Sequence, residues 1–222
     1  MFIGHYSAAF VAATSPRAPR LGTLFVATQL IDLAFFSFLL LGVEHMRLVP
    51  HITAMNPMDL YDMPWTHSLV GALGWAAGFG LLIWLWRRSA AAALIGGAVV
   101  VSHWVIDLLV HRPDLTIAGS PPPLGLGLWN YPAIEVPLEL IFAFGGLAFF
   151  VVRTRGTGAK AWLPVAALGA VMAVAQGVNW LTAQPTGVID PPPPSLAIMG
   201  LAAYVVLALL AWWVSRTREI KA

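Results

Sequence analysis

Residues 90–111 read AAAALIGGAVVVSHWVIDLLVH. As far as Leu109 the run is apolar enough, and with 20 residues long enough, to cross a bilayer as a helix. Yet its second half holds His103, Asp107 and, just past the end, His111. These recur at i, i+4 and i+8, so they share one helical face. A helix of a soluble domain keeps a polar outer side, which this one lacks. Ionisable residues within an apolar span face a bundle interior or a cavity rather than lipid. The stretch therefore predicts a membrane helix bundle with a polar site inside it.

The rest of the chain agrees. Apolar stretches of spanning length run over Leu21–Val43, Thr66–Trp86, Ala90–Leu109, Ile134–Val152, Ala161–Thr182 and Leu196–Val214. Hydrophobic residues make up 59 % and charged residues 10 % of the 222, where soluble domains carry roughly 25 % charge. Mean hydropathy is +0.80. Without cysteine there is no disulfide framework, thiol nucleophile or cysteine-ligated zinc. The net charge of +2 comes from basic residues scattered in short clusters with no basic face, which excludes nucleic-acid binding. The expected fold is all-α: a single integral membrane domain over residues 1–222, with six transmembrane helices and a short N-terminal half-helix. That half-helix, Phe2–Thr14, is too short to cross and lacks the basic start of a cleaved signal peptide.

If the spans simply alternate, ten of the twelve Lys and Arg fall on one side, and only Arg47 and Arg112 on the other. The positive-inside rule then puts both termini in the cytoplasm of a bacterial-type inner (plasma) membrane. The carboxylates and histidines gather towards the opposite, outer half. Asp32 lies near mid-membrane, where an unpartnered carboxylate costs about 2.5–3.5 kcal/mol, so it needs a cation, a proton or a donor. With the half-helix inserted from the inner side, a rise of ~1.5 Å per residue puts His5, Asp32 and His103 at about 15, 18 and 20 Å from the inner turns, with Asp107 and His67 higher. A shared site is geometrically possible. The competing readings are a surface anchor for Phe2–Thr14, a helix-start cap for Thr66-His67-Ser68, and a His–Asp pair that only locks helices together. Glu139, one turn into the fourth span after Glu135, is a candidate general base.

These residues together resemble a known family. Gly4-His5, Ile31-Asp32, Thr66-His67-Ser68 and Ser102-His103 with Asp107, in that order and spacing, are similar to the membrane-bound metal-dependent hydrolases. That family has a LexA-regulated inner-membrane member and is grouped with zinc-dependent phospholipases C and single-strand-specific nucleases. The resemblance covers residues 4–112; residues 134–214 resemble it only as further membrane helices. It implies that His5, Asp32, His67, His103 and Asp107 bind metal. Two departures stand out. The family's Pro-Asp-x-Asp is here Ile31-Asp32-Leu33-Ala34, and Asp62 occupies a position where the family often has His, so Asp62 is a substitute ligand.

The resulting expectation is a membrane-embedded hydrolase holding one or two divalent ions, Zn²⁺ by its mixed His and Asp ligands, with Mn²⁺ also compatible. Its substrate would be a phosphoester such as a lipid headgroup, attacked by water whose pKa the ion lowers to ~7, with Glu139 or His111 relaying the proton. The alternative is a non-enzymatic membrane protein, either a metal- or proton-coupled transporter or a structural subunit, using the same cluster.

Overall fold

Serines, prolines and glycines punctuate the apolar runs and set where each helix begins and ends. In the computed structural model, which describes residues 1–221, a 3₁₀ turn at Ile3–His5 leads into α1 (Tyr6–Ala12). There follow α2 (Leu21–Thr28), α3 (Leu30–Leu41), α4 (Leu69–Arg87), α5 (Ala90–Val110), α6 (Pro132–Arg153), α7 (Trp162–Leu181) and α8 (Pro194–Ser215). The Ser68 and Ser89 hydroxyls accept from Gly71 N and Ala92 N and so cap α4 and α5. Proline opens α6 and α8, where its missing N–H has no ladder partner to lose. Gly42, in the left-handed region at φ 66°, ends α3.

Helices α4 to α8 are each long and apolar enough to cross a membrane, and the α2–α3 pair makes a sixth candidate span. That pair departs from the single span expected over Leu21–Val43, because it is bent by 51°. The bend has a local cause. Thr28 turns its hydroxyl back on the Leu24 carbonyl, and the first ladder bond of α3 is Leu33 N to Gln29 O. The outward faces are apolar: Leu94, Val174 and Ile141 are 75 %, 67 % and 65 % exposed. A surface of that kind suits lipid and not water. Inside, α4 and α5 approach through small residues, a Cβ on Gly80 or Gly97 lying 3.2 Å from the Ala93 or Ala76 carbonyl.

The chain is mostly helical, as expected, and adds two small two-stranded sheets. Within the polar loop after α3, β1 (His45–Leu48) pairs antiparallel with β2 (Met58–Asp62). β1 alternates exposed and buried residues, the period of a half-buried strand rather than of a helix. β3 (Thr154–Gly156) pairs with β4 (Arg218–Ile220) and ties the end of α6 to the tail after α8. The segment before α2 does not lie on the surface. Ile3, Gly4, His5, Tyr6, Ala9 and Phe10 are all buried, and Tyr6 stacks on Phe25 with ring centroids 4.1 Å apart. This burial carries His5 into the middle of the bundle.

The basic turns gather at one end, with Arg20, Arg87 and Arg216 around one cavity. At the other end the three longer loops interlock. Leu48 pairs with Ile189, Ser68 bridges to Thr116, and Met55 N donates to Trp129 O. Arg47 and Arg112 lie at this end and both bind Asp59. The Asp59 carboxylate beside Arg47 holds that guanidinium above its usual pKa.

Candidate metal centre

Four elements deliver the site. The 3₁₀ turn brings His5, α3 brings Asp32 from its first turn, the start of α4 brings His67, and α5 brings His103 and Asp107, with His111 at its end. Asp107 is the hub. Its Oδ1 lies 3.0 Å from His5 Nε2 and 3.4 Å from His111 Nε2. Its Oδ2 lies 3.0 Å from His103 Nε2 and 3.8 Å from His67 Nε2. Asp32 Oδ1 is 3.4 Å from both His67 Nε2 and His103 Nε2. The His5 and His103 rings stack at 4.0 Å between centroids.

What the other ring nitrogens do decides the chemistry. His103 Nδ1 donates to the Thr28 carbonyl at 2.8 Å, the carbonyl next to the bend between α2 and α3. A carbonyl only accepts, so Nδ1 carries the proton and, in the neutral ring, Nε2 is a bare lone pair. For His111 the acceptor is Asp114 Oδ1 at 2.9 Å. His5 lies between two acceptors, Asp107 Oδ1 at 3.0 Å from Nε2 and the Phe2 carbonyl at 3.4 Å from Nδ1, and either nitrogen can carry its proton. His67 is fixed through a relay. The Thr66 hydroxyl spends its single proton on Glu44 Oε2 at 2.7 Å, so towards His67 Nδ1, 2.9 Å away, it can only accept. Glu44 also accepts from Trp65 N and Thr66 N at 2.7 and 2.9 Å. The Nε2 lone pairs of His67, His103 and His111 thus point at two carboxylates, with His5 Nε2 beside the same Asp107. Outer partners that fix the tautomer and ring angle in this way are the usual surroundings of metal-bound histidine.

The donor set fits a divalent cation. His103 Nε2 and Asp107 Oδ2, 3.0 Å apart, are buried and take no hydrogen bond from any group, a costly arrangement for lone pairs that face each other. A cation between them removes the cost. The ligand atoms of His5, His103 and Asp107 lie within 4.8 Å of one another, as do those of Asp32, His67 and His103. Imidazole with carboxylate suits Zn²⁺ and Mn²⁺ alike, so the donors indicate a metal without choosing it. The site is closed except at one edge: the Asp32 side chain is 17 % exposed, the others no more than 4 %. Tyr204 on α8 donates to Asp32 Oδ2 at 2.7 Å and leaves Oδ1 turned to the histidines.

No family model, no curated protein and no solved structure matches this chain. The site therefore rests on its own geometry.

Of the residues expected from the sequence, His5, Asp32, His67, His103 and Asp107 come together, and His111 joins them. Asp62 does not. It sits in the hairpin with Oδ2 2.7 Å from His45 Nδ1, and its side chain is 43 % exposed. The strand pairing turns it away from the bundle, and the buried carboxylate near His67 is Glu44 instead. Glu139 is likewise not free to act as a base. Its Oε1 accepts from Phe2 N and Gly4 N at 2.6 and 3.0 Å, and Oε2 from Gln176 Nε2 at 3.2 Å, so it anchors the turn that carries His5. His111 turns the same nitrogen to Asp107 as its neighbours do, the place of a ligand rather than of a proton relay.

Two outcomes follow for variants. His45→Ala and Asp62→Ala should leave metal content within error of the wild type by elemental analysis. Gly125→Ala should not be neutral, because a Cβ there would collide with the Arg112 and His111 carbonyls. Relief must shift the loop that holds His111, where Gly127 N donates to His111 O at 2.7 Å. We expect a loss of about 1–3 kcal/mol, read as a lower melting temperature in detergent.

Proposed function

We propose that the chain is a membrane-embedded, divalent-metal-dependent hydrolase of phosphoesters, related to the membrane-bound metal-dependent hydrolases that residues 4–112 resemble. The observation that carries the reading is the convergence of four Nε2 atoms, three of them tautomer-locked, on Asp32 and Asp107. His5, His67, His103, His111, Asp32 and Asp107 hold the ion. Asp107 offers one oxygen to each pair of histidines, which leaves room for one ion or two. Bound there, a divalent ion supplies Lewis acidity and lets water lose a proton near neutral pH. Asp32 and Tyr204 form the accessible edge, between α3 and α8. A lipid headgroup is the phosphoester that reaches such an edge from within the bilayer. The basic end lies in the cytoplasm of a bacterial-type plasma membrane, with both termini there, and the site opens nearer the outer face.

The test is a phosphoester screen with detergent-solubilised protein, using a chromogenic phosphodiester and phosphatidylglycerol as substrates. Zn²⁺- or Mn²⁺-loaded protein should release product, and chelated protein or Asp32→Ala should be at background. The near-complete closure of the site favours one other reading, a metal that holds the helices together without turnover. Loaded protein that retains its metal and cleaves neither substrate would establish that reading instead.

A further inference from the structure

At the basic end, about 18 Å along the helical rise from Asp32, the starts and ends of three helices line a half-open cavity of about 790 Å³. This is within the ~300–1,000 Å³ span of ligand clefts. Arg20 comes from the start of α2, Trp86 and Arg87 from the end of α4, and Trp212, Trp213 and Arg216 from α8. No Asp or Glu lines it. Among the described residues none of the three guanidiniums is in an ion pair, and Glu219, the carboxylate at this end, is taken by Arg155 at 2.8 Å. Arg87 spends one N–H on the Ala18 carbonyl. The first amides of α2 are not capped by any side chain and add their own positive pole.

Arginine and tryptophan near an interface are ordinary in a membrane protein. A cavity ringed by three arginines from three helices, with no carboxylate beside any of them among the described residues to offset their mutual repulsion, is not. One wall depends on this: Trp212 packs against Gly22, where a Cβ would collide with its ring. Beside the cavity the flank of α8 is apolar and open, with Leu209 57 % exposed.

We propose that this cavity binds an anionic glycerophospholipid of the adjoining leaflet, its phosphate among Arg20, Arg87 and Arg216 and its acyl chains along α8. The proposal rests on the bilayer placement above and is independent of the metal chemistry. Charge selects the headgroup, the aromatic walls seat the glycerol region, and the apolar flank makes a membrane lipid rather than a soluble phosphate the occupant.

The experiment uses the full chain in phosphatidylcholine nanodiscs. Bromine-labelled phosphatidylglycerol and bromine-labelled phosphatidylcholine are compared as quenchers of tryptophan fluorescence. Phosphatidylglycerol should quench at markedly lower mole fraction in the wild type. Arg20→Gln, Arg87→Gln and Arg216→Gln should each cut that preference about fivefold, with helical content by circular dichroism unchanged. Gly22→Ala, which displaces Trp212 and leaves every charge in place, should also weaken it. Equal quenching by both lipids in the wild type overturns the proposal, as does a preference that survives all three arginine variants. Displacement of the bromine-labelled lipid by millimolar inorganic phosphate would make this a soluble-anion site and overturn the lipid assignment. A chain that does not enter the discs at all overturns the bilayer placement, a result visible before any lipid is compared.

Discussion

Asp107→Ala is expected to abolish metal retention. Binding free energies of about 10–16 kcal/mol for four-ligand zinc sites correspond to roughly 2.5–4 kcal/mol per ligand, or about 70- to 900-fold in affinity for one ligand lost. Asp107 counts for more than one, because its two oxygens face the Nε2 atoms of all four histidines. Asp107→Asn keeps the shape and removes the negative charge, so it separates loss of the ligand from collapse of the packing. Both variants should emerge from purification with metal near background, whereas His45→Ala keeps a full complement. Equal metal in all three would remove Asp107 from the centre.

Thr66→Val is expected to weaken metal binding by about 10–100-fold, the usual effect of losing an outer partner of a bound histidine. Valine matches the shape of threonine and cannot accept from His67 Nδ1. It also ends the 2.7 Å bond to Glu44, although Glu44 keeps its two backbone donors. His67 is then free to move its proton to Nε2, the nitrogen that must stay bare. Competition against a chelator of known affinity reads the change, and an unaltered dissociation constant would mean that His67 is not a ligand. Glu44→Gln should have a similar but smaller effect, since the amide can still accept from Thr66.

Much of the architecture was legible in the chain. Long apolar runs gave the five helices of spanning length because nothing but length and hydropathy is needed to recognise them. The i, i+4, i+8 spacing of His103, Asp107 and His111 put them on one face whatever the rest of the fold did. The rise of a helix brought His5 near His103, but it set Asp107 higher, whereas His5 Nε2 lies 3.0 Å from Asp107 because the 3₁₀ turn packs against α5. The bend at Gln29 was hidden, since no proline or glycine marks it. It arises where the Thr28 hydroxyl turns back along α2 and the Thr28 carbonyl serves His103 on another helix. Glu44 and Asp62 could not be told apart, because which one faces the bundle depends on the strand register of a short hairpin. Tyr204 carried no signal at all. In an apolar helix one phenol among leucines and valines has no period to give it away, and its role appears only when α8 packs beside α3.

If the four Nε2 atoms bind one metal centre, X-ray absorption at the metal edge will show them around the ion. The protein is purified without chelator, its metal identified by elemental analysis, and the ligand shell read from the spectrum. For zinc, the account predicts nitrogen and oxygen at about 2.0–2.1 Å, with the outer-shell scattering of several imidazole rings, and loss of that signal in Asp107→Asn. A protein that carries no metal and takes none up, or a shell of oxygen alone without imidazole scattering, would contradict it.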